Sequence, residues 1–279
     1  MAAQLPFIYS IDIIKPNSNA PRLELREVPS DLIPHRALLC NPWLRQVKGI
    51  PKKHQFGFFG VGYDNSRPEK VYKMLGYYVG RQYHGAAIYE SAPQALKCID
   101  TPDKDWSSSE TARRTNVCLN GNLYWVESNP EYFIRSFDFS TENFKPFCPL
   151  PCQKIQDLDE RFLLAVYKRD GFSLLKHCDA TEEVEVWVTK NKIDKEEVVV
   201  WIKLMTLPTT NFPRLSNVFY RVSYFIFDKT LFMCMDDYTS GAPSIYIVRG
   251  DMCKKIQQGF RMFPLTRDLT KSYIMKTGK

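Results

Sequence analysis

Apolar and polar residues alternate most regularly between Thr115 and Pro151, a stretch that predicts two consecutive β-hairpins. Asn120-Gly121 interrupts the first apolar run, and this dipeptide accepts the positive φ angles of a type I′ turn. Its flanks, Val117–Leu119 and Leu123–Val126, are rich in residues that favour strands. Ile134–Phe139 then alternates as a half-buried strand does. Two successive hairpins form one small antiparallel sheet, which must pack against another element to be stable.

The same pattern of strand, polar turn and strand recurs along the chain about every 50 residues. It is centred on Asn41, Ile88, Ile134, Val184 and Ile245. A β-rich repeat of this length is typical of an all-β, kelch-like β-propeller fold built from repeated four-stranded antiparallel blades. The alternative is an irregular β-sandwich, which seldom keeps so long a period. Because Leu38-Leu39-Cys40 runs directly into Asn41, the first blade is expected to be shortened.

Further strands are predicted from short apolar runs that end in polar or glycine-containing turns. They are Leu5–Ile14, Phe56–Asp64, Val71–Gly80, Ala86–Glu90, Leu96–Ile99, Phe162–Tyr167, Phe172–Leu175, Val184–Thr189, Val198–Leu204, Tyr224–Phe227, Leu231–Met235 and Ile245–Val248. Prolines and polar residues predict a loop over Lys15–Pro34.

Two more tight turns are expected at Arg169-Asp170-Gly171 and at Asp228-Lys229, and Lys190–Glu197 reads as a charged hairpin tip. Trp125 and Trp187 lie at the centres of predicted strands. Both rings are therefore expected to be buried, on equivalent inner faces of neighbouring blades.

Several short motifs occur in an order that is specific to one family. They are Asn41-Pro42-Trp43, Gly60–Asp64, Val71–Met74, Leu119–Trp125, Ser136–Phe144, Pro149-Leu150-Pro151 and Val184–Thr189. Over residues 38–256 the chain resembles the plant F-box-associated domain of type 1. The resemblance implies a propeller that binds a target protein as the substrate-recognition part of an SCF-type ubiquitin ligase.

In that family a helical F-box precedes the propeller and binds the ligase adaptor. Residues 1–34 show no apolar helical period and carry prolines at positions 6, 16, 21, 29 and 34. We therefore expect an N-terminal segment, 1–34, with a strand and a proline-rich loop but no recognisable F-box, followed by a propeller-like domain, 35–279. Binding of this chain to the SCF adaptor is accordingly not expected.

Composition and charge narrow the class of partner. The 279 residues carry a formal net charge of +7, and the charges are interspersed without a basic run, so nucleic acid is not an expected partner. No apolar run reaches about 18 residues, so no membrane span or membrane partner is expected. The eight cysteines are scattered, several of them within apolar strands. Reduced, packed cysteines predict an intracellular protein, cytoplasmic or nuclear.

The sequence contains no arrangement typical of a catalytic or metal site, and it predicts a non-enzymatic protein without cofactors. Cys148 and Cys152 are the nearest approach to a ligand pair, but three residues separate them and no second pair follows. The four histidines are far apart and lack the spacing of known ligand motifs.

A partner-binding surface is predicted from blade topology. In a four-stranded meander the loops between strands 2 and 3 lie opposite the turns between strands 1 and 2. Loops on a rigid scaffold often carry specificity, and Tyr and Arg are favoured anchors. The candidate residues in these loops are Arg81, Tyr83, His84, Asn129, His177 and Tyr238. The alternative function is binding of a small molecule or glycan in the propeller mouth, without a ligase role.

Overall fold

The computed structural model describes the chain in segments separated by gaps. These are residues 10–14, 22–26, 37–41, 46–50, 56–68, 71–79, 84–90, 95–101, 115–127, 131–152, 160–178, 181, 183–193, 198–208, 212, 222–236 and 243–257. Two compact units are present, Met1–Phe58 with Asp268–Ile274, and Phe59–Arg267 with Met275–Lys279. The domain boundary after Pro34 stays a prediction.

The smaller unit contains two antiparallel two-stranded sheets. Strand β1 (Ser10–Ile14) pairs with β2 (Arg22–Arg26). The predicted loop over Lys15–Pro34 is therefore wrong at β2. Leu23 and Leu25 alternate with charged residues there, and they pair with Ile13 and Ile11. This period-2 alternation specifies a strand although prolines flank it on both sides.

The second sheet of the smaller unit is a single hairpin. Strand β3 (Ala37–Asn41) pairs with β4 (Gln46–Ile50) along five residues. The connection between these strands, residues 42–45, lies outside the described residues. A two-stranded sheet at this point agrees with the expectation of a shortened first blade.

The remaining sixteen strands form four antiparallel sheets of four strands each, in sequential order. Sheet 1 contains β5 (Phe56–Asp64), β6 (Val71–Val79), β7 (His84–Glu90) and β8 (Ala95–Ile99). Sheet 2 contains β9 (Val117–Leu119), β10 (Asn122–Glu127), β11 (Phe133–Asp138) and β12 (Asn143–Pro149). Sheet 3 contains β13 (Glu160–Tyr167), β14 (Gly171–Cys178), β15 (Glu183–Thr189) and β16 (Trp201–Pro208). Sheet 4 contains β17 (Ser223–Phe227), β18 (Thr230–Asp236), β19 (Pro243–Arg249) and β20 (Met252–Gln257).

This arrangement confirms the propeller-type fold class and the repeat from which it was predicted. Ile88, Ile134, Val184 and Ile245 each lie in the third strand of their sheet, β7, β11, β15 and β19. The spacing of about 50 residues is therefore the length of one four-stranded unit.

Two of the three predicted tight turns have the expected backbone. Asn120 and Gly121 have φ angles of 49° and 85°, and Asp228 and Lys229 have φ angles of 45° and 56°. Each pair closes a two-residue hairpin of the type I′ class.

The third turn was placed one residue too late, because the loop between the paired residues Tyr167 and Gly171 is formed by residues 168–170. Lys168 and Arg169 carry the positive φ angles, 48° and 74°, whereas Gly171 is the first residue of β14 and pairs with Tyr167. A Cβ on Gly171 would lie 2.6 Å from Oγ1 of Thr189. This glycine therefore allows a close side-chain contact and does not shape the turn.

Strand β16 also differs from prediction. It begins at Trp201 and ends at Pro208, whereas Val198–Leu204 was predicted. Asn191 accounts for the later start, because its side chain bonds to the backbone of Val198 and Val200 in place of a neighbouring strand.

Three apolar clusters fill the spaces between successive sheets. The first joins sheets 1 and 2 around Trp125, the second joins sheets 2 and 3 around Phe172, and the third joins sheets 3 and 4 around Leu231. Edge-to-face aromatic pairs are common in the first two, including Phe59 with Trp125 at 5.1 Å between ring centroids. Each of the four sheets therefore packs against at least one neighbouring sheet, and sheets 2 and 3 pack against two. A small sheet needs such packing to be stable.

The burial prediction is confirmed for Trp125, which is fully buried, and wrong for Trp187. Trp187 is only partly buried, and it lies on a third strand whereas Trp125 lies on a second strand. Its ring contacts Nζ of Lys203, 4.8 Å from the centroid. The two tryptophans are therefore not equivalent positions of the repeat.

The seven cysteines whose side chains the structure describes form no disulfide. Cys148 and Cys178 are buried as expected, but Cys98 and Cys118 are exposed. The expectation that several cysteines are packed within strands holds for the buried pair and does not extend to these two. In the part of the chain that the structure describes, no helix has the length and apolar character needed to cross a membrane.

Candidate partner-binding surface

Strand order places the connections of sheets 1 to 4 at two opposite ends of the strands. Turns between strands 1 and 2, and between strands 3 and 4, share one end, which we call the turn rim. Connections between strands 2 and 3 leave from the other end, which we call the loop rim. These connections are residues 80–83, 128–132, 179–182 and 237–242.

Hydrogen bonds between sheets tie the turn rim together. In sheet 1 the Asn65 backbone N–H donates to Oγ of Ser140 at 3.0 Å, and the Asn65 side chain donates to the carbonyl of Asn120. Asn120 in turn donates to the carbonyl of Ile193 at 3.3 Å, and the Ile193 N–H donates to the Asp170 carbonyl at 2.6 Å. The turns of sheets 1, 2 and 3 therefore lie on the same side, as predicted.

Gly121 lies at a close approach between two sheets on the turn rim. Its carbonyl accepts a hydrogen bond of 3.0 Å from the Tyr63 N–H. A Cβ at this position would lie 2.7 Å from both the Tyr63 carbonyl and the Asn65 side chain. Glycine is needed here both for the φ angle and for the close approach of a neighbouring sheet.

A buried lysine completes the junction between sheets 1 and 2. Nζ of Lys73 lies 2.8 Å from Glu142 and 3.3 Å from Glu90, and Lys97 adds a contact of 2.5 Å to Glu142. Burial acts to raise the pKa of Glu142, but hydrogen bonds from the two lysines outweigh it and lower the pKa. The turn that carries Glu142 is thereby fixed to the neighbouring sheet by charge.

The candidate residues of the loop rim are only partly described. Arg81, Tyr83, Asn129 and Tyr238 lie outside the described residues. His84 is the first residue of β7, and its backbone pairs with Val79.

His177 was expected on a loop, and that placement is wrong. It lies within β14 and is only 2% exposed, with its ring stacked on Phe212 at 6.5 Å. The alternation of β14 turns this side chain into the space between sheets 3 and 4, although the next residue ends the strand. The role of the other five residues in binding stays a prediction.

Charged residues near the loop rim were missed by the sequence reasoning. In sheet 2, Oε2 of Glu127 lies 3.4 Å from Nε of Arg135 and accepts a bond of 3.4 Å from the Trp125 indole. The sequence did contain a signal for a partnered carboxylate, because Glu127 directly follows the apolar run Leu123–Val126. The structure shows that this whole strand is buried. A carboxylate in such a place requires partners, and its strand neighbours supply them.

A second missed pair lies in sheet 3. Nζ of Lys176 is 2.5 Å from Oε1 of Glu160, whose side chain is fully buried. Burial acts to lower the pKa of Lys176, but the bond with Glu160 outweighs it and raises the pKa. Lys203 and Glu185 form a more exposed pair beside it. The two lysines and two glutamates carry no net charge together.

The described chemistry offers little for catalysis. Burial raises the pKa of Cys148 to about 12 and that of Cys152 to about 11, so both thiols stay protonated at neutral pH. Protonated thiols are poor nucleophiles and poor metal ligands. Within the described residues, no three His, Cys, Asp or Glu side chains are placed to hold a metal ion.

Comparison with known proteins identifies relatives for most of the chain. The family of F-box associated beta propeller domains matches residues 30–274. Protein SUPPRESSOR OF NIM1 1 of Arabidopsis thaliana is 48% identical over 90% of this chain and 78% of its own length. An F-box protein of the same plant is 53% identical over 78% of this chain and 62% of its own length. Jacalin-related lectin 38, also from Arabidopsis thaliana, is 34% identical over 90% of this chain and 53% of its own length.

Proposed function

Because the chain belongs to the family of F-box associated beta propeller domains, we propose that it recognises a target protein for an SCF-type ubiquitin ligase. The match over residues 30–274 is the observation that carries the proposal, together with relatives that are named F-box proteins. Target recognition fits a family of interaction domains. We place the protein inside the cell, where ubiquitin ligases act.

We propose the loop rim as the surface that contacts the target. The turn rim is occupied by bonds between sheets, such as those of Asn65 and Asn120, so its backbone groups are already paired. The loop rim carries Arg81, Tyr83 and Tyr238, and such side chains are the common anchors of protein interfaces. The strands at the ends of these loops pack against a neighbouring sheet, which holds the loop ends in place.

The test is capture of the target from plant extract with the purified chain, followed by detection of its ubiquitylation. Arg81→Ala and Tyr83→Ala should each weaken capture by about tenfold or more, as expected for interface anchors. Arg67→Ala and Tyr72→Ala are matched controls, because both residues are exposed and lie near the turn rim. Equal loss of capture in the control variants, or none in the first pair, would contradict the loop-rim assignment.

A glycan-binding role is the second candidate, and it draws on the relative named as a jacalin-related lectin. That protein matches this chain over only 53% of its length, so its name does not assign carbohydrate binding to the shared part. A glycan array probed with the purified chain separates the two functions. A reproducible hit that is lost in Tyr83→Ala would favour the glycan, whereas an empty array beside a ubiquitylated target would favour the protein.

A further inference from the structure

Two turns of the turn rim carry basic residues in a backbone conformation that such residues rarely adopt. In sheet 3, Lys168 and Arg169 have φ angles of 48° and 74°, and in sheet 4 Lys229 has a φ angle of 56°. Between its first and second strands, sheet 2 instead has Asn120-Gly121, the pair best suited to positive φ. Lysine and arginine are uncommon in the left-handed region, because their Cβ crowds the backbone there.

The conformation of these three basic residues points to a role outside the fold. A residue in a sparsely populated backbone region persists where the surrounding structure holds it, and such residues cluster at binding sites. Lysine and arginine lack the short polar side chain with which asparagine bonds to its own backbone in a turn. Sheets 3 and 4 thus hold exposed cations where the most favourable turn would have asparagine and glycine.

The two turns lie beside each other. They end the first strands β13 and β17, which are in contact, and the Tyr224 hydroxyl of β17 donates to the Leu163 carbonyl of β13 at 3.2 Å. Beyond this bond, β13 continues for four residues to Tyr167 and β17 for three residues to Phe227. At about 3.3 Å per residue, both strands end at nearly the same level. The basic residues of the two turns therefore form one surface, which we call the basic patch: Lys168, Arg169 and Lys229.

The carboxylates of these turns are matched by other cations. Asp170 lies 3.3 Å from Nζ of Lys192, and Asp228 lies 3.8 Å from Arg249. The side chains of the basic patch form no ion pair with any carboxylate that the structure describes. Their positive charge is therefore available to a partner.

Apolar side chains border the basic patch. Val166 lies just before the turn of sheet 3 and is 37% exposed, and Phe227 lies just before the turn of sheet 4 and is 59% exposed. Exposed apolar residues beside exposed charges are typical of protein interfaces, which combine an apolar centre with a polar rim.

We propose that the basic patch binds an acidic segment of a partner protein, in which carboxylates flank an apolar side chain. The carboxylates pair with Arg169 and Lys229, and the apolar side chain covers Phe227. A nucleic acid fits less well, because Asp170 and Asp228 have 40% and 74% of their side chains exposed in the same turns and repel a continuous row of phosphates. The basic patch lies at the end of the strands opposite the loop rim, so the proposal does not depend on how the loop rim binds a target.

Fluorescence anisotropy with a labelled acidic peptide tests the proposal. The probe has about ten residues, with aspartates and glutamates on both sides of a central leucine and phenylalanine, and the comparison peptide carries the corresponding amides. The acidic probe should bind with a dissociation constant of about 1 mM or tighter, and more tightly than the amide peptide. Raising the salt concentration from about 50 to 300 mM should weaken its binding, because the charges are exposed to solvent.

Charge reversal locates the binding. Arg169→Glu and Lys229→Glu should each weaken binding of the acidic probe by about threefold or more, because each replaces an attraction by a repulsion. Lys145→Glu is the matched control, since Lys145 is exposed on β12 of sheet 2 and its substitution changes the net charge by the same amount. It should leave the affinity within about twofold of the wild type.

Glycine substitutions separate the charge from the fold. Arg169→Gly and Lys229→Gly remove the cation and suit the positive φ angle, so each should weaken probe binding without lowering the midpoint of thermal unfolding. A lower midpoint in both variants would show that these side chains serve the fold, and would contradict the proposal. Equal binding of the acidic and amide peptides, or an equal loss in Arg169→Glu and Lys145→Glu, overturns it. Tighter binding of a single-stranded DNA of the same charge would assign the basic patch to nucleic acid, and would also overturn it.

Discussion

Equivalent positions in sheets 3 and 4 carry a charged pair in one sheet and an apolar pair in the other. In sheet 3, Lys176 pairs across the strands with Glu185, and in sheet 4 the corresponding pair is Met233 with Tyr246. The positions correspond because Glu185 and Tyr246 each follow the residue on which the repeat is centred. Lys176 takes a buried carboxylate, Glu160, as its partner, whereas Met233 is fully buried in the third apolar cluster.

The difference shows that the same strand pairing accommodates either a buried ion pair or an apolar pair at this position. A buried ion pair loses hydration that its mutual attraction only partly recovers, whereas an apolar pair gains from leaving water. The two solutions therefore contribute differently to stability, although the backbone is the same. Removing one partner from each should expose this difference.

The largest effect is expected from Lys176→Met. The substitution leaves the Glu160 carboxylate buried without its cation, which should lower the free energy of unfolding by about 3–5 kcal/mol. Urea unfolding followed by tryptophan fluorescence gives the value. Lys203→Met is the control, because its ion pair is partly exposed and should be worth below about 1 kcal/mol.

A double variant sharpens this comparison. Adding Glu160→Gln to Lys176→Met removes the unpaired charge and should recover part of the lost stability. Equal destabilisation by the single and double variants would mean that lost packing, and not the orphaned carboxylate, is the cause.

The apolar pair of sheet 4 should respond through a cavity alone. Met233→Ala should cost about 2–5 kcal/mol, toward the lower part of that range if the side chains around it relax. Met233→Leu should cost below about 1.5 kcal/mol because it keeps the volume. A cost for Met233→Leu as large as that for Met233→Ala would argue against a simple apolar site.

The smallest effect concerns pH, to which only the ionic site should respond. Burial acts to raise the pKa of Glu185, but hydrogen bonds from Lys203 and Trp187 outweigh it and hold the pKa below its usual 4.5. Its contribution to stability is therefore present above pH 4.5 and is lost as the pH falls through the lower folded value. The pKa of Lys176 is raised, so its contribution is present below 10.5 and is lost as the pH rises through the folded value.

Unfolding midpoints at neutral pH and at about pH 3 measure the acid side of this dependence. Glu185→Gln should reduce the loss of stability on acidification by below about 1 kcal/mol, since its ion pair is partly exposed. Met233→Ala should leave the acid dependence as it is in the wild type. If Glu185→Gln lost as much stability on acidification as the wild type, the Glu185 ion pair would not contribute to the acid dependence.

Much of the fold could be predicted because its signals are local. The Asn120-Gly121 turn, the alternation of apolar residues and the spacing of the repeat each depend on residues near one another in the chain. The errors arose where a local signal had two meanings. Gly171 next to an aspartate resembled a turn, but its missing side chain serves a contact with Thr189.

Less of the candidate site could be predicted. His177 was placed on a loop because a polar segment follows it, yet strand β14 continues through it and turns it inward. The Lys176 and Glu160 pair was missed because their contact crosses between two strands, and nothing in either strand alone names its partner.

The sequence by itself determined the repeat and the type I′ turns, because backbone preference and apolar period act over a few residues. The order of its short motifs indicated the family. Only the tertiary structure decided which polar side chains are buried together. That outcome depends on the distance between strands that are far apart in sequence. Lys73 illustrates the point, since its charge is balanced by Glu142, a residue of the next sheet. A buried charge is acceptable only where folding brings its partner, and that condition is set by the whole structure.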